Sequence, residues 1–179
     1  FDRTAVDFLE KLGCEAYKIA SPEIVDLDLI SYVAETGKPI ILSTGLADQD
    51  DIGAVVELLR DRRTSFMLLH CSSAYPCPPA DANLLAIRTL REKFDCPVGF
   101  SDHTLGEIAA SLAVGYGAAF IEKHFKLPDD DKSVDSNFSM NLSNYEEFRR
   151  VLHDSKLMLG SGKLEICQSA KKNLWGRRS

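Results

Sequence analysis

No apolar run in this chain approaches the roughly 18 to 20 residues that a membrane-spanning helix needs, and no signal-peptide pattern stands at its start. A basic footprint is missing too. The formal net charge is -6 and the lysines and arginines are scattered until the last few positions, which argues against a nucleic-acid partner and for a small-molecule ligand. No two of the five cysteines (Cys14, Cys71, Cys77, Cys96, Cys167) form a C-x-x-C pair, and an odd number cannot all pair within one chain. Reduced thiols in a cytoplasmic protein are therefore the expectation. Low-complexity tracts and long like-charge runs are lacking, which counts against disorder, and Asp129-Asp130-Asp131 reads as a solvated loop rather than a metal site. Position 1 is Phe rather than Met, with an amphipathic stretch already under way, so a truncated chain is expected.

What is present is a repeat of alternating strand and helix signals. With 45% hydrophobic residues over 179 positions, the chain can bury one sizeable core. Five short apolar runs, Ala16 to Ala20, Pro39 to Leu42, Phe66 to Leu69, Pro97 to Phe100 and Ala118 to Ile121, are each followed by a polar turn and then, after most of them, by residues at helical spacing. Leu29, Ile30 and Val33 make one helix face, Ile52, Val55, Val56 and Leu59 a second, and Leu84, Ile87, Leu90 and Phe94 a third. Gly13, Gly37 and Gly117 stand where left-handed helix caps are wanted. Ser143 to Glu146 has the pattern of a capping box opening a last helix that ends near Gly160. Residues 1–160 thus read as five β/α units of a parallel α/β fold, and residues 161–179 as a polar connector. A complete TIM-type barrel takes about 250 residues, so five units would be its last five, with the first three strands missing. A doubly wound open sheet would fit five strands without truncation.

Each apolar run turns polar at its C-terminal end: Ser21, then Ser43-Thr44-Gly45, then His70-Cys71-Ser72-Ser73, then Ser101-Asp102-His103, then Glu122-Lys123-His124. In a parallel barrel those ends converge on the face that carries the active site, and hydroxyls with neighbouring amides suit an oxyanion. Neighbouring strands lie about 4.8 Å apart, so His103 and His124 at matching heights can share one divalent ion; singly, each is as readily a structural residue. His70 and His153 read as structural. Lys18, inside the first run, either snorkels from the outer wall or points into the barrel mouth, as a Schiff-base lysine or as a cation for phosphate or carboxylate. Glu23, Glu122 and Asp135 are candidate hydroxyl-binding or acid/base groups.

Four ordered blocks, Tyr17 to Ser21, Lys38 to Gly45, Ser101 to Gly106 and Ile121 to Phe125, resemble those of the sialic acid synthase family, and the stretch Lys172 to Ser179 looks like the linker that follows the barrel there. Ser73-Ala74-Tyr75-Pro76, Asp81 to Leu84 and Val134 to Ser139 are more similar to the pseudaminic acid synthases of the family, since sialic and legionaminic acid enzymes more often carry histidine where Ser136 stands. The resemblance implies a TIM-type barrel, a linker at 161–179 toward an antifreeze-like domain, and a metal-dependent condensation of phosphoenolpyruvate with an N-acetylated amino-sugar aldehyde that yields a nine-carbon 2-keto acid and phosphate. It implies His103 and His124 as metal ligands for manganese, with magnesium or cobalt as other options. By the same resemblance Lys18, Ser21, Ser43 and Ser101 hold phosphoenolpyruvate, Ser73 occupies a position often filled by asparagine, and Tyr75, Glu122 and Asp135 contact the sugar. Lys18 and Glu122 are the catalytic candidates. The intact parent would be a homodimer, and the present chain alone would be inactive.

Overall fold

In the computed structural model, residues 2–127 and 132–178 are described; the acidic run Asp129-Asp130-Asp131 lies outside them. The order is α1 (Arg3–Lys11), β1 (Tyr17–Ile19), α2 (Leu27–Ala34), β2 (Ile40–Ser43), α3 (Gln49–Asp61), β3 (Phe66–Cys71), α4 (Leu85–Phe94), β4 (Val98–Asp102), α5 (Ile108–Gly115), β5 (Ile121–Lys123), β6 (Phe125–Lys126), β7 (Met140–Asn141) and α6 (Tyr145–Met158). Strands β1 to β5 pair in parallel and in chain order, with Lys18 opposite Ile41, Ser43 opposite Leu69, Cys71 opposite Ser101, and Ser101 opposite Glu122. Among the described residues the strand order never reverses, so they hold no switch point of a doubly wound sheet. The sheet is a curled half-barrel, part of a TIM-type barrel.

Alternation along the strands separates two faces. Tyr17, Ile19, Ile40, Leu42, Leu68, Val98 and Phe100 belong to one core with Ile30 and Val33 of α2, Val55, Val56 and Leu59 of α3, Ile87 and Leu90 of α4, and Ala109 and Ala113 of α5. The intervening residues, Lys18, Ile41, Ser43, Leu69, Cys71, Gly99, Ser101 and Glu122, therefore line the inner face. Aspartates that follow the strands start several helices: Asp26 accepts from the Leu29 amide, while Asp48 accepts from the Asp50 and Asp51 amides and Asp51 returns a bond to the Asp48 amide. Gly13, Gly37 and Gly117 adopt the expected positive φ of 72°, 71° and 90°.

β3 and β4 run on past their apolar runs through Cys71 and Asp102, because polar residues at a barrel mouth still pair with their neighbours. Two local expectations are corrected. The fifth strand begins at Ile121 rather than Ala118, whose amide instead caps α5 by donating to the Ala113 carbonyl. No capping box forms at Ser143. Residues Leu142–Asn144 make a turn of 3-10 helix, which moves the start of α6 to Tyr145 and leaves the Ser143 hydroxyl donating to Asn144 at 3.4 Å. Beyond α6 the described residues hold only one short 3-10 segment, Lys171–Gly176.

Candidate active site

At the C-terminal end of the inner face, the Lys18 ammonium donates to the Ser43 hydroxyl at 2.8 Å and to the Ile19 carbonyl at 3.2 Å, and stands 3.6 Å from Glu122 Oε1. Ser101 donates to the same Glu122 oxygen at 2.8 Å. This resolves the two orientations open to Lys18: it points into the mouth, with three oxygens around its Nζ.

Ser21 lies just past the end of β1 and accepts the Gly45 amide at 3.0 Å, with Cys71 Sγ 3.4 Å away. Gly45 is required here by space. A Cβ on it would stand 2.5 Å from Ser73 Oγ, 2.6 Å from Cys71 Sγ and 3.0 Å from Ser21 Oγ. Lys18, Ser21, Ser43, Gly45, Ser73 and Ser101 thus form a compact cradle of one cation, hydroxyls and an amide. Glu23 follows Ser21 within the same short helical turn, and its Oε2 is buried without a hydrogen-bond partner among the described residues. Such an orphaned acceptor is costly unless a ligand donates to it.

His103 and His124 leave β4 and β5 one residue after the last paired rung, and their ring centroids are 5.4 Å apart. His103 Nδ1 contacts the Ser72 carbonyl at 2.8 Å; because a carbonyl can only accept, Nδ1 carries a proton, which leaves Nε2 as the nitrogen that could face a cation. His124 Nδ1 lies 3.5 Å from Asp135 Oδ2, a looser contact than the one that holds His103. Burial and the adjacent His103 push His124 below the usual imidazole range, only partly offset by Asp135 and Glu122. Burial works the same way on His103, but the Cys71 thiol and the Ser72 carbonyl outweigh it and raise that imidazole. Two nitrogen donors with carbonyl and carboxylate partners behind them fit a divalent cation held by few protein ligands, with positions left for water and substrate oxygens. Among the described residues no cluster of three or more ligating side chains occurs.

An aromatic wall closes one side of the histidine pair. Tyr75 lies 4.2 Å from the His103 ring and 5.2 Å from Phe138, which in turn lies 5.1 Å from His124. The loop that carries Asp135 and Phe138 is brought back by the pairing of β6 with β7 and is pinned by Lys126, which donates to Ser136 O at 3.1 Å and Ser136 Oγ at 3.0 Å.

Lys18, Ser21, Ser43, Ser73, Tyr75, Ser101, His103, Glu122, His124 and Asp135 are found in this mouth, while Glu23 lies in the turn that begins at Ser21. His70 points the other way: it lies on the helix side of β3, stacked on Phe100 and 2.8 Å from the Ala82 carbonyl. Sequence reasoning missed Cys71 and Phe138 as members of the site. Once β3 is known to continue, alternation from Leu69 gives Cys71. Phe138 sits in a loop without periodicity, and its aromatic character was the only available signal.

Residues 1–164 match the model of the NeuB family. The pseudaminic acid synthase of Helicobacter pylori is 45% identical over 162 residues, which cover 89% of this chain and 47% of that protein. The N,N'-diacetyllegionaminic acid synthase of Legionella pneumophila is 36% identical over 167 residues, covering 90% and 47%. Among solved structures, the N-acetylneuraminic acid synthetase of Leptospira borgpetersenii, in complex with citrate, superposes with a TM-score of 0.90 at 35% identity, over 99% of this chain and 62% of that one. This chain spans about half the length of the curated relatives it matches. With the family model covering nearly the whole chain and the fold superposing on a solved synthetase, the chain belongs to the NeuB family.

Proposed function

We propose that the whole protein to which this chain belongs condenses phosphoenolpyruvate with an open-chain N-acetylated amino-sugar aldehyde, and that it is a pseudaminic acid synthase using 2,4-diacetamido-2,4,6-trideoxy-L-altrose. The observation that carries the reading is the adjacency of a cationic cradle, built on Lys18, Ser43 and the Gly45 amide, to a pair of imidazoles on the same barrel face. Phosphoenolpyruvate brings a phosphate and a carboxylate, and the cradle offers an ammonium, hydroxyls and an amide to such groups.

In this reading Lys18, Ser21, Ser43, Ser73 and Ser101 orient phosphoenolpyruvate so that its C3 faces the aldehyde carbon. A new C–C bond forms there, positive character develops at C2, water adds to C2, and phosphate leaves by C–O cleavage. Lys18 balances the anion, while Glu122, held by Ser101, accepts hydrogen bonds from the sugar or a proton from the entering water. Tyr75, Asp135 and the orphaned Glu23 oxygen take the rest of the sugar. A divalent cation bound by His103 and His124, manganese by preference, would supply Lewis-acid polarisation of the aldehyde.

Ser136 supports the pseudaminic branch over the N-acetylneuraminate and legionaminate branches. It is buried at 7% exposure beneath Lys126, so a histidine there would displace that contact and reset the loop that carries Asp135. The reading includes a cytoplasmic homodimer with further barrel strands and a C-terminal domain joined through 161–179, and inactivity of this chain alone. The test is phosphate release by full-length protein with phosphoenolpyruvate, manganese and either the trideoxy-altrose sugar or N-acetylmannosamine, with and without chelator. Chelator-sensitive release with the altrose sugar alone is expected. Release with N-acetylmannosamine moves the substrate assignment to sialic acid synthesis, and no release with either refutes the condensation.

A further inference from the structure

The last paired rung between β4 and β5 joins Asp102 to Lys123, and the next residue on each strand is one of the two histidines. On the helix side of that rung, Lys123 donates to Asp102 Oδ2 at 2.7 Å and to the Thr104 carbonyl at 2.7 Å. Asp102 Oδ1 accepts from the Thr104 amide at 2.8 Å and from its hydroxyl at 2.7 Å, so the carboxylate spans the His103 backbone in a tight Asx turn. The two side chains are 5% and 0% exposed. They face away from the mouth, and the condensation described above uses neither of them.

A buried ion pair is a poor stabiliser, because desolvation cancels much of the attraction and an apolar pair of similar volume does as well. Its distinctive property is directional: it fixes two backbones at one separation. His103 is otherwise held by Ser72 and by the Cys77 amide, which donates to its carbonyl at 2.8 Å, and His124 by the Met140 amide, also at 2.8 Å. Each of those bonds ties one histidine to a neighbouring loop. The Asp102–Lys123 link ties the two strands to each other at the rung adjacent to both histidines, where strand ends would otherwise fray.

We propose that Asp102 and Lys123 are positioning residues that hold His103 and His124 at the spacing a shared divalent cation requires. This rests on the two-histidine reading of the site. The test uses full-length protein and Mn2+ as the probe. Asp102→Asn/Lys123→Met removes the link without burying an unpaired charge and keeps an acceptor for the Thr104 amide. Its Kd for Mn2+, read by calorimetry, should rise about tenfold or more, the range seen when supports behind metal ligands are lost. The Kd for phosphoenolpyruvate measured without metal should stay unchanged, since Lys18 and Ser43 are untouched. If the double variant lacks a cooperative unfolding transition, Asp102→Asn/Lys123→Leu, a second neutral pair that also leaves no buried charge, carries the same comparison. A folded variant whose Mn2+ affinity matches the parent overturns the proposal and leaves the pair a structural element only. Failure of the unsubstituted protein to bind Mn2+ overturns the two-histidine reading itself and the inference with it, an outcome visible before any variant is made.

Discussion

Gly45→Ala isolates the oxyanion cradle from the rest of the fold. Gly45 is not among the residues with positive φ, so alanine meets no backbone penalty, and the whole effect comes from where the new methyl goes. It would sit 2.5 Å from Ser73 Oγ and 2.6 Å from Cys71 Sγ, so both must withdraw by about 0.4–0.5 Å merely to reach 3.0 Å. Ser73 is half-buried and can rotate aside, whereas Cys71 and Ser21 are only 6% and 5% exposed. Overpacking typically costs about 1–3 kcal/mol, and because small side-chain ends give way here, about 1 kcal/mol is expected. That lowers Tm by about 2–4 °C in a protein of 150–250 residues, and by less in a longer one.

The effect on ligand binding should be larger. Ser21 Oγ, at 3.0 Å, must give by a few tenths of an ångström and so loosen its bond to the Gly45 amide, and the methyl projects among the hydroxyls that would meet the anion. Loss of one hydrogen bond to a charged group is worth about 1.5–3 kcal/mol, or about 10- to 150-fold in affinity. Steady-state phosphate release by the full-length variant should show KM for phosphoenolpyruvate raised at least tenfold, KM for the sugar little changed, and a thermal midpoint only a few degrees lower. An unchanged KM for phosphoenolpyruvate would refute the reasoning and place the anion elsewhere in the mouth.

Three further outcomes follow from the same geometry. Lys18→Met should raise KM for phosphoenolpyruvate by roughly 10- to 100-fold by removing one charge-assisted contact, and borohydride with pyruvate should trap no adduct on the unsubstituted protein; a trapped adduct would restore the Schiff-base role. Glu122→Gln preserves shape but removes the negative charge 3.6 Å from Lys18, so phosphoenolpyruvate affinity should hold or improve while KM for the sugar rises; parallel losses for both substrates would contradict the division of roles. Burial pushes His70 below the usual imidazole value despite its bond to the Ala82 carbonyl, so the unfolded chain takes up a proton there first as pH falls. His70 therefore contributes stability that is complete above its unfolded value near 6.5 and declines below it, and urea midpoints at pH 7.5 and 5.5 should differ less in His70→Gln than in the parent protein. Equal differences in the two proteins would rule this out.

The strands were legible because burial against the helices demands apolar residues at every second position, as at Tyr17 and Ile19 or Ile40 and Leu42. Where a strand enters the mouth that demand ends. His70-Cys71 and Ser101-Asp102 accordingly turn polar while they continue the ladder, so the pattern marks the strand ends without marking where pairing stops. The histidine pair could be anticipated because both residues follow consecutive strands, so parallel register alone brings them level. Asp102 and Lys123 sit one rung earlier in that same register, but two charged residues beside the mouth read as part of it, and only the strand alternation turns them to the helix side, where they meet. The start of α6 was misread for a different reason: Ser143 and Glu146 have the right spacing for a reciprocal cap, but a preceding 3-10 turn supplies the helix entry instead.

The two faces of the half-barrel divide the work between stability and chemistry, and the exceptions mark where they are coupled. On the helix side, the strand residues from β1 through the middle of β4 are apolar apart from His70, and burial at about 25 cal/mol per Å2 of apolar surface makes that face the source of cohesion. On the inner face, small or polar residues gather toward the mouth, and Gly45 leaves room for three of them to converge. Asp102 and Lys123 break the apolar rule on the outer face at the very rung before the histidines, where an ion pair contributes little net stability but constrains geometry. A polar group placed where it cannot stabilise much, beside ligands whose spacing matters, is best understood by what it positions.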